Sequence, residues 1–171
     1  MRKTITALAM SSALVAGTAQ ADVPGEGTFT LFLTDLFSSP LSVPGGAAGV
    51  PGVGISGPTY NVGYFVTDDI MPYGSLSVAS ADDTALLFRA GSRFYAVPGD
   101  TGSLRTFADA ELLYYSNFND AIGLAGHFGM EYHVSRHFSV SGRVGASLVN
   151  PDEGDTLISL GTANTGVNFY F

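Results

Sequence analysis

Asn164-Thr165-Gly166-Val167-Asn168-Phe169-Tyr170-Phe171 closes the chain. Side chains alternate across a strand, so Val167, Phe169 and Phe171 share one face and Asn164, Gly166, Asn168 and Tyr170 the other. A water-soluble domain gains nothing from ending on an exposed phenylalanine. A transmembrane β-barrel does, because its strands finish at the membrane interface, where aromatic residues gather. This segment therefore predicts an all-β, antiparallel transmembrane barrel.

The other end of the chain agrees. Arg2 and Lys3 precede an apolar stretch from Ile5 to Gly17, and Ala19-Gln20-Ala21 has the small-x-small form of a cleavage site. This is the order of parts in a secretory signal peptide. The apolar stretch is too short and too interrupted (Thr6, Ser11, Ser12) to span a bilayer as a helix. Residues 1–21 are thus expected to be a cleaved signal peptide and residues 22–171 a single barrel domain. No later segment has the run of about twenty apolar residues that a helical span needs. Removing the leader leaves about 150 residues, enough for eight strands of about ten residues with their turns.

Composition points the same way. Charged residues make up 13% of the chain, about half the usual share. After residue 21 there is no lysine, and five arginines face fifteen acids, a balance near −10. Lysine is the standard charge that protects sheet surfaces in water, so its absence suggests an outer surface that does not face water. The acidity argues against nucleic-acid partners. With no cysteine, disulfides and thiolate metal sites are excluded.

Turn residues divide the mature chain into eight predicted strands, at 27–37, 55–66, 71–80, 85–97, 104–116, 122–134, 138–149 and 157–171. The alternation is clearest in two of them. Ile122, Leu124, Phe128, Met130, Tyr132 and Val134 oppose Gly123, Ala125, His127, Gly129, Glu131 and His133. Phe138, Val140, Val144, Ala146 and Leu148 oppose Ser139, Ser141, Arg143, Gly145 and Ser147. A helix does not give period two over twelve residues. The polar face is rich in small residues, as a narrow lumen requires, so the apolar face is assigned to lipid. Phe32 and Phe65 fall on the inward parity. The apolar run Leu157–Leu160 breaks the alternation, which predicts a bulge or an extension above the membrane. The uncharged Pro/Gly/Ala/Val-rich stretch Ser38–Gly57 is expected to be a long first outer loop.

Three motifs carry a family resemblance. Gly63-Tyr64-Phe65-Val66-Thr67-Asp68-Asp69 resembles the hairpin GYFxTDN of the small eight-stranded bacterial outer-membrane β-barrel family (OmpA/OmpX-like proteins), with Asp69 in place of the usual Asn. Gly129-Met130-Glu131-Tyr132-His133-Val134-Ser135 resembles that family's GxEYxxS hairpin. Asn164, Gly166, Phe169 and Phe171 resemble the C-terminal signal read by the barrel-assembly machinery. The resemblance implies a porin-like fold in the Gram-negative outer membrane, a monomer surrounded by lipid and lipopolysaccharide, and an assembly partner for the last strand. It does not discriminate among structural proteins, adhesins, lipid-modifying enzymes and small channels.

The inward parity collects Arg89, Arg93, Arg105 and Arg143 with Asp109, Glu111, Glu131, His127 and His133. Four of the five mature arginines fall there. An eight-stranded lumen is only wide enough for side chains to fill it. Buried charges must pair. The expected result is an ion-paired plug, with Arg105 and Arg143 pairing to Glu131, Asp109 or Glu111. The competing expectation is a polar channel lining for small or hydrophobic solutes. Arg136-His137-Phe138-Ser139 resembles the active-site segment of lipid A deacylases, but Val140 stands where Asn follows the serine in that family. No catalytic residues, cofactors or metal ligands are assigned. Asp152-Glu153-Gly154-Asp155, like Asp82, Asp83 and Asp120, is expected to be a solvated acidic loop; it lacks the spacing of a calcium loop.

Overall fold

The computed structural model describes residues 23–36, 39–40, 58–80, 84–95, 103–116, 120–152 and 155–171. The expected leader, most of the Ser38–Gly57 stretch, and Asp82, Asp83 and Glu153 lie outside the described residues. The strands are β1 (Phe29–Thr34), β2 (Ser39–Pro40), β3 (Thr59–Tyr64), β4 (Ile70–Ser80), β5 (Thr84–Tyr95), β6 (Leu104–Ser116), β7 (Ala121–Ser135), β8 (Phe138–Pro151) and β9 (Leu157–Tyr170).

Every consecutive pair from β3 to β9 is antiparallel, β1 pairs with β3, and β1 also pairs with β9. The sheet therefore closes on itself as an eight-stranded barrel. Closure leaves no edge strand, which is what permits a sheet to sit in lipid. The two-residue β2 continues the line of β1 along β9, at Ala163 and Thr162.

The first two strands are shorter than the sequence pattern predicts. β1 stops at Thr34 because Asp35 takes a left-handed conformation (φ 62°), which a strand cannot accommodate. Ser39 and Pro40, read as loop, are instead hydrogen-bonded to β9. The apolar run at 157–160 has its explanation in Gly161. Gly145 pairs with Thr162 and Ala146 with Leu160, so Gly161 (φ 76°) is the extra residue of a bulge. The bulge flips the parity of β9. Ile158 and Leu160 point outward above it, and Val167 and Phe169 point outward below it.

The inside and outside of the barrel are sharply different. Outward positions are large and apolar: Leu112, Ile122, Leu124, Phe128, Met130, Val144 and Ile158 are all more than half exposed. Inward positions are mostly polar or aromatic, with Met71, Leu87, Leu113 and Val149 the aliphatic exceptions, and Arg93, Glu131 and Ser139 have no exposure at all. At the end that holds the C-terminus, Phe32, Phe65, Met71, Tyr73, Tyr95, Phe107 and Tyr170 form an aromatic layer across the lumen. Phe65 stacks on Tyr95 with centroids 5.5 Å apart. Towards the other end, Leu87, Leu113, Ala121 and Val149 pack together.

Two glycines make room for this filling. Gly129 faces Phe107 across the β6–β7 ladder, and a Cβ there would collide with the ring. Gly145 lies against His127, whose imidazole occupies the space a Cβ would need.

Candidate functional site

The lumen is the only concentration of chemistry among the described residues, and its charged side chains come from adjacent strands at matched heights. Arg93 (β5) stands opposite Asp109 (β6), and Asp109 stands opposite His127 (β7). Residues directly opposite on one face of a sheet lie close enough to interact. Period two then delivers Arg89, Arg93, Arg105, Asp109, Glu111, His127, Glu131, His133 and Arg143 to a single interior.

Arg93 holds Asp109 with two charge-assisted hydrogen bonds, Nε to Oδ1 at 2.8 Å and Nη2 to Oδ2 at 3.1 Å. Its Nη1 lies 3.5 Å from Glu131. The guanidinium also sits 3.7 Å from the centroid of Phe107, a cation–π contact. Arg143 bridges two acids through Nη1, to Asp109 at 2.8 Å and Glu111 at 2.5 Å. Glu131 gathers three hydroxyls: Tyr95 donates at 2.8 Å, Ser139 at 2.5 Å, and Tyr170 makes a short bond. The Tyr73 hydroxyl donates to Glu111 at 2.7 Å. His127 and His133 each place a ring nitrogen 3.5 Å from Glu111 and Glu131, respectively.

Arg89 is the loosest member. It lies 3.7 Å from Glu111 and 3.6 Å from Asp35, and its side chain keeps 16% of its exposure. Asp35 is in turn anchored by Thr59, whose hydroxyl donates at 2.6 Å. The left-handed residue that ends β1 thus also caps the charge network.

Arg105 does not pair with Glu131, Asp109 or Glu111, contrary to the sequence expectation. Its Nη2 bonds Asp69 Oδ1 at 3.0 Å and the Asp68 carbonyl at 2.8 Å, and its Nη1 reaches the Pro24 carbonyl at 3.3 Å. Glu131 is its register partner but is already occupied by Arg93 and three hydroxyls. The β3–β4 turn and the N-terminal residues bring free acceptors to the barrel mouth instead. Arg105 also lies over the Tyr95 ring at 4.0 Å.

A continuous polar chain results, running from Pro24 through Arg105, Tyr95, Glu131, Arg93, Asp109, Arg143, Glu111 and Arg89 to Asp35. The sequence pattern omitted Asp35, which falls on the outward parity of the predicted first strand, and Asp69, which lies between two predicted strands. It placed Ser139 on the polar face but gave neither it nor Tyr73 and Tyr95 a part in the network.

Other arrangements are not assembled. Ser139 is fully buried and bonded to Glu131, Tyr170 and Asn168. His137 sits in the β7–β8 turn with its Nδ1 against the Tyr170 carbonyl. The two therefore do not form a nucleophile–base pair, which needs mutual hydrogen-bond reach and access. Asp109, Glu111 and His127 offer ligand atoms within 4.8 Å of one another. The Arg143 guanidinium already bridges both carboxylates and does the neutralising that a metal ion would do.

Of the proposed assembly residues, Asn164 and Gly166 face inward, while Phe169 and Phe171 face outward. Phe171 belongs to the closing seam: it exchanges backbone hydrogen bonds with Phe29 at 2.9 and 3.2 Å, with the two rings 6.3 Å apart.

No family model matches the chain, and no curated protein sequence matches it. Solved structures do. The N-terminal β-barrel domain of Pseudomonas aeruginosa OprF aligns over 86% of this chain and 100% of its own, with 16% identity and a TM-score of 0.55. The outer membrane protein OprG from Pseudomonas aeruginosa aligns over 88% and 99%, at 12% identity and a TM-score of 0.47. AlkL, determined by solid-state NMR in lipid bilayers, aligns over 91% and 95%, at 12% identity and a TM-score of 0.45. The similarity to the OprF domain is one of fold.

Proposed function

We propose that this chain, which has the fold of a small eight-stranded outer-membrane barrel, is a non-enzymatic integral protein of the bacterial outer membrane, exported by its leader. Its interior is closed by ion pairs, and its role is structural or surface-interacting. The observation that carries this reading is the inverted distribution of polarity. A protein dissolved in water places apolar side chains inside and charges outside. Here the outward face of the strands is a band of Leu, Ile, Val, Phe, Tyr and Met, and the charged residues of the described strands are inside. Lipid is the solvent that such an exterior fits.

The closed interior is supported by the network itself. Arg93, Arg143, Asp109 and Glu131 are almost wholly buried, and each is held by opposite charge. The aromatic layer adds a second obstruction beside it. Outer-membrane lipid and lipopolysaccharide are the proposed surroundings, the barrel-assembly machinery the proposed partner of β9, and a monomer the proposed state.

Single-channel recording of the refolded protein in a planar bilayer tests the closed reading. The wild type should pass essentially no steady current, and Arg143→Ala should pass a small one. A steady nanosiemens-scale current through the wild type would overturn the plug and favour a channel for small solutes.

A further inference from the structure

The mouth of the barrel that holds the C-terminus carries a feature that neither the charge network nor the lipid-facing band requires. Residues 23–28 do not extend β1. They turn back towards the β3–β4 turn. The sequence provides for this with Pro24-Gly25-Glu26-Gly27. Gly27 has φ 86°, a conformation that side-chain-bearing residues rarely adopt, and the Thr28 amide donates to the Gly25 carbonyl at 3.1 Å, closing the turn.

This segment is tied at several points. The Gly27 amide donates to the Phe65 carbonyl at 2.9 Å, and the Phe65 amide to the Thr28 carbonyl at 2.9 Å. The Glu26 amide donates to Asp68 Oδ1 at 2.9 Å. Gly25 passes so near Asp68 that a Cβ would come within 2.5 Å of its carboxylate. Pro24 is buried. Its carbonyl accepts from Arg105, which also holds Asp68 and Asp69 and lies over Tyr95.

We propose that residues 23–28 are a strap that closes this mouth over the aromatic layer, and that Arg105 is its latch. One guanidinium holds the strap, the β3–β4 turn and the ring beneath them. This explains why Arg105 leaves its register partner Glu131 to the interior and turns to the mouth. Among the described residues, the strap's other hydrogen bonds to the barrel go to the β3 end and its turn. Releasing the latch should therefore let the Pro24 end swing while the Gly27–Phe65 ladder holds.

The test uses the absence of native cysteine. Thr30 is 1% exposed, faces inward just behind the strap, and its hydroxyl has no hydrogen-bond partner. Thr30→Cys is therefore a nearly isosteric reporter. The refolded full barrel in detergent micelles is treated with a charged methanethiosulfonate, and the rate of modification is measured. Modification should be slow in the Thr30→Cys parent. It should rise about tenfold or more when Arg105→Met is added, as expected when an opening equilibrium loses a charged hydrogen bond. Asp69→Ala should give a smaller rise, and deletion of residues 23–27 the largest. Folding of each variant is checked by its heat-dependent gel mobility. Asp69 is half-exposed in the turn, so its variant tests the latch even if Arg105→Met fails to fold. Equal rates in the parent and the deletion variant would overturn the strap. A fast deletion variant with Arg105→Met and Asp69→Ala both at the parent rate would overturn the latch. The measurement needs no bilayer, so it stands or falls separately from the conductance test.

Discussion

Replacing Arg93 with methionine isolates what the charge network contributes to stability. Methionine keeps an apolar stem and removes the guanidinium, whose carbon lies 5.2 Å from the Phe32 centroid and 3.7 Å from that of Phe107. The loss is readable from the structure: two charge-assisted bonds to Asp109 at 2.8 and 3.1 Å, the 3.5 Å approach to Glu131, and the cation–π contact at 3.7 Å. The two acids suffer unequally. Asp109 still has Arg143 at 2.8 Å. Glu131 keeps its hydroxyl donors from Tyr95, Ser139 and Tyr170 but loses its arginine. A buried carboxylate stripped of its counter-charge costs about 3–5 kcal/mol. Urea titration in lipid vesicles should show this as a midpoint lowered by more than about 1 M, taking a slope of about 1–3 kcal/mol/M. Circular dichroism or gel mobility must serve as the probe, because the chain has no tryptophan. The second half of the experiment is Arg93→Met with Glu131→Gln. An amide needs no counter-charge, so the double variant should recover about 1–3 kcal/mol, a coupling typical of groups in one network. A single-variant loss below about 1 kcal/mol would mean that water already screens these charges. A double variant no more stable than Arg93→Met would show that Glu131 does not depend on Arg93.

The exterior, the packing and the seam give further outcomes. Val144→Lys, at a site facing outward and more than half exposed, should destabilise the barrel by about 2–4 kcal/mol if it lies near the bilayer midplane. Ser141→Lys should cost less, since Ser141 faces inward opposite Glu131; the reverse order in vesicle titrations would exchange inside and outside. Gly129→Ala should cost about 1–3 kcal/mol by driving a methyl group into Phe107, and Phe107→Leu in the same chain should relieve part of it. Deleting Phe171 should slow membrane insertion far more than Tyr170→Phe does. Tyr170→Phe should insert normally yet lose about 1–3 kcal/mol of folded stability, because Glu131 loses a buried donor. Equal insertion defects in the two variants would remove the special role of the terminal residue.

What the sequence made legible follows from one physical constraint. In a closed barrel every strand has an outward face and a lumen face, so a single period-two rule assigns each side chain. That rule placed Arg93, Asp109, Glu131 and Arg143 in one interior, and it put Phe32 and Phe65 there too, where the aromatic layer now accounts for them. It failed wherever the backbone departs from a regular strand. Asp35 ends β1 with a positive φ, Gly161 inserts a residue into β9, and Asp69 lies in a turn. At Asp35 and Gly161 the rule assigns a parity that the backbone does not keep, and at Asp69 no parity applies. The residues that complete the network at its two ends, Asp35 for Arg89 and Asp69 for Arg105, were invisible for that reason.

The two ends of the lumen pose different electrostatic problems, and the sequence solves them with different partners. In the middle, water is excluded and charge must be balanced by charge, so Arg93 and Arg143 share Asp109, and Glu111 completes the set. At the mouth, Arg105 can be satisfied largely by backbone carbonyls, because a carbonyl of a turn or strap has a free lone pair and needs no counter-ion. This division fits the count of groups. The central acids, Asp109, Glu111 and Glu131, are held by Arg93 and Arg143 with Arg89 approaching from the edge. A fourth arginine among them would have had no free acid. Arg105 is therefore available to hold chain as well as the Asp69 carboxylate, which is why the interior can be at once neutralised in its middle and tied to the N-terminal residues at its mouth.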